Sequence, residues 1–343
     1  MNGSLIFQDG TKIEGRSFGY EASQSGEIAF STSMMGYPES LTDPSYKGQI
    51  LTLSYPLVGN YGVPKKELWE SDHIQVSGLI VSHYSSYPSH FQSTMSLSDW
   101  LKKEHIPALE IPDTRFIVKK IRDEGASLVK MLFSEQIDFT DPNKENLVAQ
   151  VSTKKVKVIG SGKYKIVLVD CGVKNNIIRE LLKRDTTIIL VPWDYDYIEE
   201  GIDYDAVLVS NGPGDPKMVV KTIEIVKKAL KKKKPLFGIC LGNQILALAS
   251  EGDTYKLPFG HRGQNQPCEL IGSDKCYITT QNHGFAIGKI PEGFKPWFMN
   301  SNDKTNEGII HSSLPFMSVQ FHPEAAPGPF DTQWLFDMFI KLI

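Results

Sequence analysis

From about residue 165 onward, short continuous apolar runs alternate with stretches whose apolar positions recur at helical spacing. The first pattern marks buried strands and the second marks amphipathic helices with one face on a core. Lys165–Asp170, Thr187–Val191, Ala206–Ser210 and Pro235–Ile239 read as strands. Asn175–Arg184 reads as a helix with Ile177, Ile178, Leu181 and Leu182 on one face. Val219, Ile223, Val226 and Leu230 mark a second helix, and Leu241–Ala249 a third. Beyond Cys276 the strands come closer together, at Gly308–Ile310 and Met317–Phe321, and a last helix over about 331–342 turns Trp334, Leu335, Met338 and Leu342 inward. Alternation of this kind predicts an α/β domain with a central, mostly parallel sheet covered on both faces.

The first half has a different texture. Ser4–Phe7, Glu27–Ser31, Ile50–Leu53 and Leu79–Ser82 read as short strands between Gly, Pro and Ser turns. Two helices are predicted among them, roughly Leu97–Glu104 and a run through Ile121 capped by Asp113 or Thr114. With 343 residues the chain exceeds one typical domain. A β-rich N-terminal domain over 1–150, a lysine-rich linker without sustained period over 151–163, and an α/β domain over 164–343 are expected.

Charge and cysteine usage narrow the function classes. A formal net charge of −3 gives no electrostatic reason to expect nucleic acid or an anionic membrane as partner. The run Lys231–Lys234 follows a helical pattern and stops at Pro235, so it reads as a solvated helix end where cations complement the dipole. Four cysteines without regular spacing form neither a disulfide framework nor a zinc site, so no metal is expected and a reducing compartment is. The N-terminus lacks a basic leader and no segment reaches membrane-spanning length, so a cytoplasmic location is expected.

The chemistry concentrates at Gly238-Ile239-Cys240-Leu241-Gly242. Cys240 sits between a strand and a helix, on a turn tight enough to need glycine on both sides. The helix N-terminus there favours thiolate. The plainer alternative is a buried structural thiol. His322-Pro323-Glu324 follows the apolar run 317–321 and offers a proton-handling imidazole with a carboxylate to orient it; the alternative is a surface histidine beside a turn. Ser210-Asn211-Gly212-Pro213-Gly214-Asp215-Pro216 lies between another strand and helix, and its N–H groups together with that of Leu241 could stabilise an oxyanion. Taken alone, it is an ordinary loop.

Those three segments, in that order, resemble the signature blocks of the triad-type glutamine amidotransferases. The resemblance implies that Cys240 attacks the carboxamide of L-glutamine, that His322 serves the leaving nitrogen and then water, and that Glu324 orients His322. The first domain adds Thr32–Tyr46, Gly59-Asn60-Tyr61-Gly62 and Asp113-Thr114-Arg115, which resemble the N-terminal domain of carbamoyl-phosphate synthetase small chains. Asp170–Asn176, Gln281–Ala286 and Pro323–Pro329 resemble the same family in the second half. This resemblance implies Ser45, Gly212, Gly214, Leu241, Gln244, Asn282, Gly284 and Phe285 as glutamine-holding residues. It also implies a large synthetase chain as partner, which makes carbamoyl phosphate from bicarbonate and ATP for arginine and pyrimidine synthesis.

No Gly-x-x-x-x-Gly-Lys-Ser/Thr run is present, so no cofactor is expected on this chain, and ATP with Mg²⁺ is expected on the partner. Two positions depart from the family pattern. Asn243 stands where many relatives have His, and Phe259–Asn265 differs from the His-rich segment of bacterial small chains, which reads either as an altered partner contact or, for His261, as an ordinary loop histidine. Cys171, Cys268 and Cys276 read as structural thiols. A non-catalytic subunit and a free-standing glutaminase are the rival readings. The complete set of Cys240, His322 and Glu324 disfavours the first, and the additional N-terminal domain disfavours the second.

Overall fold

Residues 2–343 are described by the structure, a computed structural model, and they form two units that divide between Glu145 and Asn146. In the first, strands β1 (Asn2–Phe7), β2 (Lys12–Ser17), β3 (Gln24–Ser31), β4 (Gln49–Leu53), β5 (Gly78–Val81), β6 (Ala108–Glu110) and β7 (Leu128–Leu132) close a barrel. The order around it is β1-β2-β6-β5-β4-β3-β7, with β3 to β6 joined in parallel. Helices α1 (Tyr37–Thr42), α2 (Leu97–Lys103) and α3 (Thr114–Glu124) complete the unit. Strand β5 is buried at every position because both of its faces are covered, and it therefore reads as a continuous apolar run. Strand β2, with Lys12, Glu14 and Arg16 exposed in alternation, carries too little apolar signal to be recognised from the sequence.

Local chemistry fixes the helix starts. Asp113 Oδ1 accepts from Phe116 N–H at 2.9 Å ahead of α3, and Ser96 Oγ accepts from Asp99 N–H at 3.1 Å ahead of α2. Such caps contribute about 1 kcal/mol each. Helix α2 buries Trp100 and Leu101 against Leu51, Leu79 and Val81, each a large side chain whose burial is worth roughly 1.5–3 kcal/mol.

The second unit begins with α4 (Val148–Val151) and β8 (Lys157–Ile159). Both touch the segment expected to be a linker. Instead of spanning two domains, 157–159 pairs antiparallel with the sheet of this unit, Ile159 opposite Ile188. Its lysines mask it in the sequence, and they suit an edge strand that must not recruit another chain. Then follow β9 (Tyr164–Asp170), α5 (Asn175–Leu182), β10 (Thr186–Pro192), β11 (Ala206–Val209), α6 (Val220–Lys231), β12 (Leu236–Ile239) and α7 (Leu241–Ala249). Strands β13 (Asp253–Leu270), β14 (Cys276–Lys289), β15 (Phe294–Asn300), β16 (Asn306–His311), β17 (Phe316–Val319) and helix α8 (Trp334–Lys341) complete the chain.

The ten strands lie in the order β14-β13-β15-β16-β17-β12-β11-β9-β10-β8. The neighbours β17, β12, β11, β9 and β10 are parallel, and the remaining pairings are antiparallel. Alternate residues of the parallel strands feed two cores. Ile166, Leu168, Leu208 and Phe237 pack with Ile177 and Leu181 of α5 and with Leu335, Phe336 and Phe339 of α8. Val167, Val169, Val207 and Leu236 pack on the other face with Val226 of α6 and Ile245 and Leu246 of α7.

Strand β9 lies between β10 and β11, so the winding reverses beside it. Ligands in such sheets bind outside the carboxyl ends of the strands at this reversal. The loops after β9, β11 and β12 all leave from that edge. No helix among the described residues is long and apolar enough to cross a membrane.

Candidate active site

The turn from β12 into α7 holds Cys240 at φ 55° and ψ −102°, in the left-handed half of backbone space where a side chain is strained. Its neighbours explain the Gly-x-Cys-x-Gly spacing. A Cβ at Gly238 would stand 2.4 Å from the Gly242 carbonyl oxygen, and one at Gly242 would stand 2.1 Å from that of Val209. Only backbone can pass there. Cys240 is buried, and its Sγ lies 3.7 Å from Asn282 O on β14. Its own carbonyl accepts from Asn243 and Gln244 N–H, so the N–H groups of Leu241 and Gly242 ahead of them have no acceptor within the helix. A negative charge at this position is favoured by those groups and by the dipole of α7.

The chain leaves β17 at Val319 and carries Gln320, Phe321 and His322 through the core, all buried. His322 N–H donates to Thr280 O at 2.9 Å, which ties it to β14. Left-handed backbone at Ala325 and Ala326, φ 58° and 62°, turns the chain sharply after Glu324. Glu324 Oε1 lies 2.7 Å from His322 Nδ1 and 3.0 Å from Lys174 Nζ, and none of the three side chains is more than 4% exposed.

Burial alone would pull His322 toward neutrality. The charges of Glu324 and of the Cys240 sulfur outweigh burial and hold the imidazole above its ordinary value. Burial would likewise raise Glu324, but Lys174 and His322 hold it down at about 2. His322 Nε2 has no other hydrogen-bond partner and is left facing the Cys240 sulfur. Lys174, Glu324 and His322 thus form a row of alternating charge that ends at the Cys240 sulfur in a water-poor interior.

The remaining positions inferred from the resemblance fall as follows. Gly212 and Gly214 lie in the loop after β11, which is tied to the loop after β9: Ser210 Oγ accepts from Cys171 N–H at 3.0 Å, and Asn211 Oδ1 from Lys174 N–H at 3.1 Å. Leu241 and Gln244 lie in the first turns of α7, and Asn282, Gly284 and Phe285 lie on β14. Gln244 Nε2 donates to Phe285 O at 2.8 Å, joining the helix to that strand. Ser45 belongs to the first unit, in a short turn where its N–H donates to Asp43 Oδ1 at 2.9 Å.

Several residues of the site have no signal in the sequence. Lys174 stands in a segment marked only by its resemblance to the family, and a buried lysine there looks like any lysine at a helix start. Asn243 is fully buried: its Nδ2 donates to Gln320 Oε1 at 3.0 Å and its Oδ1 accepts from Ser318 Oγ at 2.8 Å. His261 is not a loop residue. It is buried in β13, with Nδ1 3.1 Å from Glu307 and Nε2 2.7 Å from Asp303. Burial pushes the thiols of Cys171 and Cys268 well above the ordinary cysteine range, which removes them as nucleophiles, whereas Cys276 is exposed.

A family model described as glutamine amidotransferase class-I matches residues 167–342, and one described as carbamoyl-phosphate synthase small chain, CPSase domain, matches residues 5–131. The Mus musculus protein named carbamoyl-phosphate synthase (ammonia), mitochondrial, is 50% identical over 353 residues, covering 99% of this chain and 23% of its own length. Multifunctional protein CAD of Squalus acanthias is 48% identical over 355 residues, covering 98% of this chain and 16% of its own length. Multifunctional protein URA2 of Saccharomyces cerevisiae is 43% identical over 387 residues, covering 99% and 17%. The chain spans about a quarter, or less, of the length of these relatives. Its two matched domains, in this order, make it a member of the class-I glutamine amidotransferase family, in the carbamoyl-phosphate synthase small-chain branch.

Proposed function

We propose that the chain hydrolyses L-glutamine at Cys240 and passes the ammonia to a synthetase partner that forms carbamoyl phosphate. The observation that carries this reading is the strained Cys240 facing a His322 whose far nitrogen is held by the buried Glu324–Lys174 pair. The Cys240 thiolate adds to the carboxamide carbon, and the oxyanion is met by the N–H groups of Leu241 and the Gly212 loop. The His322 imidazolium gives its proton to the nitrogen, the C–N bond breaks, and ammonia leaves a glutamyl thioester. Neutral His322 then takes a proton from water as it attacks, the C–S bond breaks, and glutamate departs with thiolate and imidazolium restored. Donors of the oxyanion type are worth about 10²–10³ in rate each.

Recognition of the substrate falls in this reading to Ser45, Gly212, Gly214, Gln244, Asn282, Gly284 and Phe285, which offer hydroxyl, amide and backbone groups to a zwitterion with a neutral side chain. ATP and Mg²⁺ belong to the large chain, which assembles with this one in a heterodimer or larger complex. The four free cysteines suit a reducing compartment, and the cytoplasm is the proposed one.

A second reading comes from the name of the mouse relative, which specifies ammonia. A chain serving free ammonia needs no nucleophile, so the arrangement around Cys240 favours glutamine. The test is direct. The chain is incubated with a diazoketone analogue of glutamine, digested and analysed by mass spectrometry, and glutamate release is assayed with the Cys240→Ala variant alongside. Adduct on Cys240 and loss of glutaminase in the variant are expected; equal glutamate release by both proteins overturns the assignment.

A further inference from the structure

A second polar cluster lies in the antiparallel half of the same sheet. Strands β13 and β14 pair so that His261 stands opposite His283, and the two rings meet edge to face with centroids 5.0 Å apart. Glu307, on β16, places Oε1 3.1 Å from His261 Nδ1 and 3.9 Å from His283 Nε2. All three residues are buried, and Glu307 Oε2 is enclosed with no hydrogen-bond partner.

A count of protons shows what the cluster lacks. The Phe285 carbonyl lies 2.9 Å from His283 Nδ1 and can only accept, so that nitrogen carries the proton and Nε2 of the neutral ring is a lone pair. Nε2 faces Gln281 Oε1 at 3.1 Å. Thr279 gives its one hydroxyl proton to Gln266 O at 2.8 Å and so accepts from Gln281 Nε2 at 3.1 Å, which leaves the Gln281 oxygen turned to the ring. Lone pairs of His283 and Gln281 and the carboxylate of Glu307 therefore converge. The donors to Glu307 Oε1 from Asn300 and Thr305 are long, at 3.3 Å. His261 meets two carboxylates, Glu307 and Asp303. Arg262, next to His261 on β13, gives its guanidinium to Phe259 O; burial, then the charges of His261 and Arg262, hold His283 well below its ordinary value and so neutral.

We infer that His261, His283 and Glu307 bind one divalent transition-metal ion of the zinc class. Two imidazoles and a carboxylate are a donor set such ions take, with further coordination open to water. The ligand atoms lie within 4.8 Å of one another, so modest side-chain movement brings them to bonding distance of a common ion. Metal-bound histidines give their second nitrogen to a carboxylate or backbone carbonyl, and both do so here: His261 Nε2 to Asp303 and His283 Nδ1 to Phe285 O. The three ligands come from three strands, so no short motif announces them. His283 adjoins Asn282, Gly284 and Phe285, which the proposed function assigns to glutamine, but the metal claim does not rest on that reading, and its test uses no substrate.

The full chain is treated with a chelator, freed of it, and titrated with Co²⁺ while the visible spectrum is followed. Cobalt d–d bands saturating near one ion per chain, displaced by Zn²⁺, are expected. His261→Asn should remove them. Asp303→Asn, at a carboxylate 43% exposed and so tolerant of change, should weaken binding about 10–100-fold. Absence of bands in the wild-type chain, or bands of equal affinity in both variants, overturns the site and leaves a hydrogen-bond network only.

Discussion

Lys174 and Glu324 form a buried ion pair whose carboxylate oxygen is shared with His322, at 3.0 Å to the ammonium and 2.7 Å to the imidazole. Taking two such charges out of water is costly, and is offset only when the remaining donors are also satisfied. Lys174 meets that condition in part through a second bond to Ala325 O at 2.9 Å. Its consequence is functional in the proposed mechanism. With a fixed cation on one side, Glu324 stays ionised, so the proton between it and His322 resides on the imidazole.

Replacement of Lys174 by methionine should therefore act on stability and on chemistry together. Removing one partner of a buried pair leaves the other charge uncompensated, a loss of about 3–5 kcal/mol. Denaturant unfolding should show that loss. Glu324 should rise from about 2, and the acid limb of the glutaminase pH profile should move upward. A loss under about 1 kcal/mol with an unmoved acid limb would argue that Lys174 is merely accommodated.

The pH dependence of stability follows from the same pair. His322 is held above the unfolded value of about 6.5. Its contribution is complete below that pH and is lost as pH rises toward the folded value. Glu324 is held below the unfolded value of about 4.3. Its contribution is complete above that pH and is lost as pH falls toward about 2. The difference in Tm between wild type and His322→Asn should be widest around pH 5–6 and narrow steadily through alkaline pH. A difference that grows above pH 7 would reverse the sign assigned to His322.

Strain at Cys240 gives a comparison between two inactive variants. Cys240→Ala keeps a Cβ at φ 55°, whereas Cys240→Gly removes it. Glycine adopts that conformation freely, and left-handed strain on other residues costs of order 1–3 kcal/mol. Although glycine is ordinarily the worse residue beside a helix and loses more entropy on folding, the glycine variant should be the more stable by about 1 kcal/mol. Equal or reversed Tm values would mean that the turn relaxes and stores no strain.

Legibility of the chain varied with how far each residue's environment is set locally. Helix α7 and strands β9 to β12 were readable because each presents an apolar period to a core on both faces. Strand β13 was not, since Pro258, Gly260, Gly263 and Pro267 read as turns; the structure absorbs them in bulges of its pairing with β14, with register shifts after Lys256 and Gly263. Strand β8 was hidden by its lysines. At the site, Cys240 could be found because its glycines answer a steric demand within five residues. Lys174 and the His261 cluster could not, because their partners come from distant strands and burial of a charged side chain leaves no mark on its neighbours in sequence.

Asn243 tests whether a departure from the family's common residue is chemical or structural. Its side chain donates to Gln320 Oε1 and accepts from Ser318 Oγ, one residue type on each side, and it has no group that titrates. Asn243→Ala would leave the Ser318 hydroxyl without its buried acceptor and deprive Gln320 Oε1 of one of its two donors, the other being Gln244 Nε2. A buried group left unsatisfied costs about 1–3 kcal/mol, so a fall in unfolding free energy of that size is expected. Because Gln320 also binds Gln244, which reaches Phe285, the KM for glutamine should rise while the shape of the pH profile stays as in wild type. A changed pH profile with unchanged stability would instead place Asn243 in the proton chemistry.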